Sequence, residues 1–461
     1  MNRRNGRSLG SLCLTVALVV LAGTPAAAQT FNSGSTGADG AFNPASNTTL
    51  ALPPSGVFNF TTINIPSGVT VTFTRNAANT PAILLATGAV TINGTIDVSG
   101  GAGGSFGRPG LGGPGGFDGG PGADGITTGL AGIGLGPGGG GAGGPGQAGG
   151  GGGGYLTAGG NGSFGTANTG GPAYGTITIR PILGGSGGGG GGGSVNSFFG
   201  GGGGGGGGAI VVASSTSIAL GTSTGTVAVR ATGGAGGQAI IQSGGGGGSG
   251  GAIRVIAPTI TGVGQARAEG GSQGAFAGAG ASGRIRLEAT TLSYTGSSTP
   301  IASQAFPQPV FPAAGQPSLT IASVAGIAAP ATPGGSYLTA PDILLPTGTT
   351  NPVTVALTAS NIPLGTVIQV TATPQSGAKT TAVTSGLAGT VGSSTATASI
   401  NLSLTQTNVL TATATFPLVA SAGNGPIYAG GEEVTHVRVA AVLGGASRVT
   451  YLTRSGREVA P

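Results

Sequence analysis

Uninterrupted runs of glycine are the feature that most limits how this chain can fold. Nine consecutive glycines occupy residues 200–208, and shorter runs occupy residues 149–154 and 187–193. Glycine lacks a Cβ atom and loses more backbone entropy on folding than any other residue, so such runs are unfavourable within helices and ordinary strands. Glycine accounts for 105 of the 461 residues, whereas charged residues account for only 6%. This composition excludes an ordinary helical protein, and the glycines lack the sustained three-residue period of collagen.

Glycine is most concentrated between residues 100 and 208, and two structures are compatible with this segment. One is a disordered excursion, which would be unusually long for a compact domain. The other is a set of packed, extended three-fold helices, in which the absence of side chains lets neighbouring backbones approach closely. Nine residues in that conformation span about 28 Å. We favour packed rods, interrupted by a strand over residues 175–179.

The first 28 residues predict export. Three arginines precede an apolar stretch over residues 9–21, which is shorter than a membrane-spanning helix, and residues 25–28 end in an A-x-A cleavage pattern. We therefore predict a signal peptide cleaved after Ala28 and a secreted or outer-surface protein without a transmembrane span. Cleavage lowers the formal net charge from +6 to +3 and leaves no cysteine. Disulfides, thiolate chemistry and cysteine zinc sites are thereby excluded.

Short alternating segments recur between residues 29 and 299. The sequence GTIDVSGG at residues 94–101 returns in altered form at residues 225–234 and 264–271, each time as a strand followed by Gly-Gly. A second recurring strand occupies residues 208–213, 251–256 and 283–288. Repeats of this length, none of which can bury its apolar face alone, predict a solenoid. Because no helical pattern intervenes, the predicted fold is a glycine-rich parallel β-helix with polyglycine insertions.

The string AVTINGTIDVSGG at residues 89–101 resembles the coils of secreted bacterial right-handed parallel β-helix proteins, the filamentous-haemagglutinin and pectate-lyase-like group. The segment GSTGADG at residues 34–40 is similar to the start of such helices. The resemblance covers residues 29–298 apart from the glycine blocks. It implies a fold and a surface or extracellular role, and no particular chemistry.

The composition changes after a proline-rich stretch. We predict a signal peptide over residues 1–28, a β-helix domain over 29–299 with a polyglycine-rich insertion over 100–208, a linker over 300–317 and a β-sandwich domain over 318–461. In the last part about seven short strands alternate with turn signals, which is typical of an immunoglobulin-like sandwich, although a Cys-Trp-Cys core is missing. The fold class is therefore all-β.

Few residues are suited to metal or cofactor chemistry. Residues 119–127, GGPGADGIT, match a nonapeptide whose aspartates bind Ca²⁺ in parallel β-rolls, so Asp124 is a weak calcium candidate. Ca²⁺ needs six to eight oxygens and this chain has one copy of the motif, so a polar turn is the alternative. We predict no other cofactor. His436, the only histidine, lies in an alternating segment and is predicted to be a half-exposed sandwich residue.

Six arginines flank apolar residues that the coil pattern directs inward, and this places the arginines at outward positions. They are Arg180, Arg230, Arg254, Arg267, Arg284 and Arg286. One interpretation is a basic face that binds an acidic polysaccharide or a cell-envelope glycan. The alternative is a set of solvated positions in which Arg267 pairs with Glu269 and Arg286 with Glu288. We do not expect nucleic-acid binding, because no compact basic cluster with aromatic residues forms.

These features predict an exported, non-enzymatic cell-surface or extracellular-matrix protein with a structural or adhesive function. No catalytic residue is assigned. The alternative is a carbohydrate-active enzyme, a polysaccharide lyase or hydrolase on a β-helix scaffold, which would need converging carboxylates. A third hypothesis is templating of ice or mineral by flat rows of threonine such as Thr70, Thr72 and Thr74. Self-association is compatible with such extended surfaces.

Overall fold

The architecture is described from a computed structural model. It covers residues 31–124, 131–146, 148–163, 168–180, 182–193, 199–239, 243–311, 317–330, 337, 340–418, 428–429, 432–443 and 447–459. The predicted signal peptide lies outside these residues. The described residues form 28 strands and no helix, which confirms the all-β class. Phe31–Pro461 is one compact unit.

Sixteen strands form the first part of the chain, and every pairing among them is parallel. They are β1 Ala41–Phe42, β2 Thr48–Ala51, β3 Val57–Phe60, β4 Thr62–Ile65, β5 Thr70–Thr74, β6 Ala82–Ala86, β7 Val90–Ile92, β8 Thr95–Asp97, β9 Ala209–Ser214, β10 Ser217–Leu220, β11 Val227–Arg230, β12 Ala252–Gly262, β13 Gln265–Arg267, β14 Arg284–Tyr294, β15 Ser298–Thr299 and β16 Ser303–Ala305. The recurring segments of the sequence therefore pair with one another, as in the register of β8, β11 and β13.

The parallel strands form three columns. The first column contains β3, β6, β9, the first halves of β12 and β14, and β16. The second contains β1, β4, β7, β10 and the second halves of β12 and β14. The third is the six-stranded sheet β2, β5, β8, β11, β13 and β15. The chain visits the columns in a fixed order, so each strand pairs with its counterpart from the next repeat.

Inward-facing side chains of the three columns meet in one apolar core. Ile63, Ile92, Ile96, Val229 and Ile253 are among its members, and each is at most 1% exposed. Alternation along short strands places apolar residues inside and threonine or other polar residues outside. The second column follows this pattern, whereas the first column is buried on both faces, with burial of all six residues of β9.

The glycine blocks form an ordered array of extended segments beside the first column. Residues 200–208 are all buried, and their amides donate in three directions with a period of three. Gly200, Gly203 and Gly206 donate to the segment 117–123. Gly201, Gly204 and Gly207 donate to the segment 243–249, and Gly202, Gly205 and Gly208 donate to the segment 98–104. The carbonyls of the same run accept from three further segments, namely 107–113, 185–191 and 234–237, and that of Gly208 accepts from Ala252. The extended left-handed helix has three residues per turn, which matches this period of three in the hydrogen bonds. The glycine segments are therefore extended helices packed side by side, which are the packed rods of the prediction.

Side chains are excluded from this array by its close packing. A Cβ atom built on Gly204 would lie 2.0 Å from the carbonyl oxygen of Gly234, and one on Gly203 would lie 1.9 Å from that of Gly188. Both contacts are far shorter than the sum of van der Waals radii. The packed alternative is thus confirmed, and the glycine runs are part of the folded structure.

One strand prediction in this region is wrong. Residues 175–179 form a turn, in which Ile179 has a φ of 52°. The hydroxyl of Thr176 lies 2.9 Å from that of Thr178 and 3.2 Å from the carbonyl oxygen of Arg180. These local bonds stabilise a turn in place of a strand, although the alternation of threonine and isoleucine is typical of strands.

Twelve antiparallel strands form the last part of the chain. They are β17 Ser318–Val324, β18 Ile327–Ala328, β19 Val353–Ser360, β20 Ile368–Pro374, β21 Thr380–Val383, β22 Ala388–Thr390, β23 Ser393–Ile400, β24 Asn408–Pro417, β25 Tyr428–Ala429, β26 Glu432–Val442, β27 Arg448–Thr453 and β28 Glu458–Val459. One sheet has the order β18-β17-β19-β23-β22 and the other β21-β20-β24-β26-β27-β28, with β25 on β26. Their facing apolar residues share a single core, as in a β-sandwich. The sequence predicted about seven strands here, whereas the described residues form twelve, because short strands of two or three residues such as β18, β22, β25 and β28 were not recognised.

Candidate ligand-binding cleft

A cleft of about 2150 Å³ lies where the first column, the glycine array and the antiparallel sheets meet. Two of the six arginines selected from the sequence, Arg180 and Arg254, contribute to its lining. The antiparallel part contributes Lys379, Arg438 and Arg448. The acidic residues of the lining are Asp342 and Glu458, of which Glu458 forms an ion pair with Arg438. The cleft is therefore a cation-rich concave surface.

Arg254 is held in place by a buried carboxylate. Its Nε and one terminal nitrogen donate to the two carboxylate oxygens of Glu288 at 3.0 and 2.9 Å, and Arg286 Nε donates to Glu288 Oε1 at 2.7 Å. The backbone amide of Gln308 donates a further bond to Glu288 at 2.9 Å. Arg254 and Glu288 are 1% and 0% exposed. Burial alone would raise the pKa of Glu288, but the hydrogen bonds and positive charges of the two arginines lower it below its ordinary value.

The same arginine also attaches the segment that follows the parallel strands. Arg254 donates to the carbonyl oxygens of Gln308 and Pro309 at 3.3 and 3.2 Å. Residues 308–310 therefore cover the outer face of the first column, where Val310 packs against Val211 and Ile256. The outward position predicted for Arg254 and Arg286 is correct for the strand alternation, but the prediction that these side chains are solvated is wrong because other segments cover that face.

Arg180 differs from Arg254 in having no acidic partner. Its guanidinium makes no ion pair or hydrogen bond with any described residue, although it lies within electrostatic range of Arg254, Arg286 and Glu288. Burial, followed by the positive charge of Arg254, lowers the pKa of Arg180. Three arginines thus surround one carboxylate here, so a net positive charge remains, and Arg180 carries the part of it that is not bonded to Glu288.

Arg448 and Lys379 are the corresponding cations of the antiparallel part. Arg448 is half-buried, its Nε has no hydrogen-bond partner, and burial lowers the pKa of its guanidinium. The paired phenol rings of Tyr155 and Tyr174, whose centroids lie 4.6 Å apart, are close enough to influence it. Lys379 is exposed and makes no side-chain hydrogen bond within the described ranges. Neither residue could be linked to the predicted arginines from the sequence, because both belong to the antiparallel part of the chain.

The other arginines selected from the sequence do not line the cleft. Arg230 pairs with Asp97 at 3.5 Å and Arg267 with Glu269 at 3.9 Å, both on the third column. Arg284 lies on the first column near Tyr155, and its Nε has no partner. The predicted pairs of Arg267 with Glu269 and of Arg286 with Glu288 are both confirmed. The six arginines therefore belong to two separate faces and do not form one stack.

Most carboxylates of the described chain are engaged by arginine. Asp97, Glu269 and Glu288 are paired as above, and the buried Asp118 pairs with Arg75. Asp124, the calcium candidate, is exposed, and within the described residues no group of three or more His, Cys, Asp and Glu side chains could hold a metal ion. His436 is exposed on β26 beside Thr435, with the ring Nδ1 3.1 Å from the hydroxyl oxygen.

Comparison with known proteins gives no relative by sequence or by structure. No protein-family model, no curated protein and no solved structure matches this chain. Across the residues that the structure describes, no helix is long and apolar enough to cross a membrane.

Proposed function

We propose that this protein is an exported, non-enzymatic component of the cell surface or extracellular matrix that binds acidic polysaccharide in the cation-rich cleft. The architecture we propose is a parallel β-helix with a packed polyglycine layer, joined to an immunoglobulin-like β-sandwich. Support for the β-helix comes from the three columns of parallel strands, which the chain visits in a fixed order around one core.

One observation carries the choice of ligand. Arg180, Lys379 and Arg448 line one cleft and form no ion pair with a described residue, whereas arginines elsewhere on the parallel strands, such as Arg230 and Arg267, do form one. Unpaired cations in a concave surface attract anions strongly, because the low-dielectric walls focus the field. A polyanion with charges spaced along a chain can engage several cations of one cleft at once, which strengthens its binding.

The non-enzymatic assignment is supported by the arrangement of the carboxylates. Hydrolysis of a glycosidic bond needs two carboxyl groups on either side of the bond, one of them protonated. In the parallel part, the carboxylates of Asp97, Asp118, Glu269 and Glu288 are each engaged in an ion pair with arginine. Incubation with acidic polysaccharides should therefore release neither new reducing ends nor unsaturated products.

Binding is tested on the chain without its first 28 residues, passed over immobilised polygalacturonate and over neutral dextran. We expect retention on polygalacturonate that weakens as salt is added, and none on dextran. The triple variant Arg180→Gln, Lys379→Gln, Arg448→Gln should lose retention. The matched control Arg108→Gln, Arg230→Gln, Arg267→Gln removes the same charge from other surfaces and should remain bound. Equal losses in the two triple variants would mean that net charge, and not the cleft, causes binding.

A further inference from the structure

The outer face of the second column is an uncharged, regular array of small side chains. Two outward rows follow the parallel register of β4, β7, β10, β12 and β14. One row consists of Asn64, Thr91, Ala219, Thr261 and Ser293, and the other of Thr62, Ala89, Ser217, Thr259 and Thr291. The first row is paired throughout, whereas in the second the paired members are Ser217, Thr259 and Thr291, and Thr62 and Ala89 lie two residues before Asn64 and Thr91. We call these ten residues the polar ladder. Every one of them is half-buried or exposed.

The ladder lies directly over the apolar core. Between its two rows lies a third row of inward residues, which includes Ile63, Val90, Ile218 and Ile260, all at most 1% exposed. Neighbouring strands lie about 4.8 Å apart, and outward residues on one strand lie about 6.6 Å apart. Threonine is β-branched and stiff at χ1, so its hydroxyl and methyl groups keep a restricted orientation. The array is thus a two-dimensional lattice of hydroxyl and methyl groups.

The hydroxyl groups of the ladder have no partners within the described residues. Neither Thr91 nor Thr261 makes a side-chain hydrogen bond there, and the same holds for Thr62, Ser217, Thr259, Thr291 and Ser293. The third column is different, because Thr49 and Thr72 bond to each other at 2.8 Å and Thr95 donates to the carbonyl of Val227. That column also carries Asp97 and Arg230 in register. Among the three columns of parallel strands, the second is therefore the one whose described outward residues combine an uncharged surface with unbonded hydroxyl groups in a repeat.

The chemistry of the ladder identifies one kind of partner. The face has no charge for an anion, no aromatic ring on which a sugar could stack, and no large apolar, tyrosine or arginine anchor of the kind that centres protein interfaces. Its repeat in two directions matches a partner that is itself periodic and uncharged and that both donates and accepts hydrogen bonds. Ice has these properties, since its water molecules occupy fixed positions. We propose that the polar ladder binds the surface of ice crystals.

The experiment is thermal hysteresis and ice-crystal shaping with the chain lacking its first 28 residues. Thr261→Lys places a long charged side chain in the centre of the ladder, and Thr291→Lys places one at an exposed position near its end. Thr74→Lys, an exposed threonine of the third column, is the matched control. We expect hysteresis and faceted crystals for the unchanged protein and for Thr74→Lys, and loss of both for Thr261→Lys and Thr291→Lys. Melting temperatures close to that of the unchanged protein exclude unfolding of the variants. If Thr261→Lys is unfolded, the result for Thr291→Lys alone is used.

Two results would overturn the proposal. The first is an unchanged protein that neither shapes ice nor lowers its freezing point. The second is binding to crystalline cellulose or chitin that the ladder variants abolish while ice activity is absent, since this would identify the ladder as a polysaccharide surface. Neither result bears on retention by polygalacturonate, which depends on the cleft cations and not on the ladder.

Discussion

Arg254 and Glu288 form a fully buried, bidentate ion pair between adjacent parallel strands, with N–O distances of 3.0 and 2.9 Å. Glu288 also accepts from Arg286, and Arg254 also donates to the backbone of residues 308–310. This pair therefore connects two strands of the first column to the segment that leads into the antiparallel sheets. A buried pair of this kind adds little net stability by itself, yet removal of one partner leaves an uncompensated charge in the interior.

Glu288→Gln should destabilise the protein by about 3–5 kcal/mol, because Arg254 and Arg286 would remain buried without a counter-charge. The measurement is the denaturant midpoint followed by circular dichroism. The control is Asp97→Asn, which removes a partner from a pair at 3.5 Å whose side chains are 41% and 21% exposed. It should cost less than about 1 kcal/mol. Equal losses in the two variants would contradict a special role for the buried cluster.

The contribution of Glu288 should also depend on pH. Its pKa in the folded protein is lower than in the unfolded chain, so the folded state binds fewer protons and the stabilisation is complete above the unfolded value of about 4.3. The stabilisation is lost as the pH falls through the folded pKa. The difference in denaturant midpoint between the unchanged protein and Glu288→Gln should therefore be constant near neutrality and shrink below about pH 4. A difference that grows towards acid pH would mean that folding raises the pKa of Glu288, which would contradict this prediction.

The cluster around Glu288 illustrates what the sequence could predict and what it could not. Alternation along β12 and β14 placed Arg254 and Arg286 correctly on the outer side of the strands, and spacing two residues apart predicted the pair of Arg286 with Glu288. The neighbours on that side include Ile177, Ile182 and residues 308–310, which are distant in sequence and have no repeat. Burial by segments of this kind depends on tertiary packing, so pattern alone could not reveal it.

The glycine array was easier to predict in one respect, because few conformations are compatible with a run of glycine. The packed form was predictable, since only glycine permits such close backbone approach, but the partners of each segment were not. Residues 200–208 bond to six segments that carry no distinguishing side chains at the contacts. Turns and strand positions at both ends of each run determine which segments become neighbours. Lys379 and Arg448 were missed as cations of the cleft for a related reason, since both are far in sequence from Arg180 and Arg254.

Gly204→Ala tests the exclusion of side chains from the array. The added Cβ would lie 2.0 Å from the carbonyl oxygen of Gly234, and the contact is with backbone, so no side chain can move away. We expect a loss of about 1–3 kcal/mol or more from overpacking. Gly144→Ala is the control within the same array, because no atom lies within 4 Å of its added Cβ. It should leave stability unchanged or raise it by up to about 1 kcal/mol, because alanine lowers the conformational entropy of the unfolded chain.

Hydrogen exchange distinguishes a packed array from a flexible tether. Every amide of residues 200–208 donates to a carbonyl of a neighbouring segment, and the whole run is buried, so opening requires separation of several segments at once. These amides should therefore exchange slowly, on the timescale of the core strands β9 and β12. The exposed turn at residues 222–225 provides an internal reference for rapid exchange. Deuterium uptake by peptides that contain the run should lag far behind uptake by that turn. Uptake at the same rate would mean that the glycines are tethers, and the array would then contribute nothing to the rigidity of the surface on which the cleft depends.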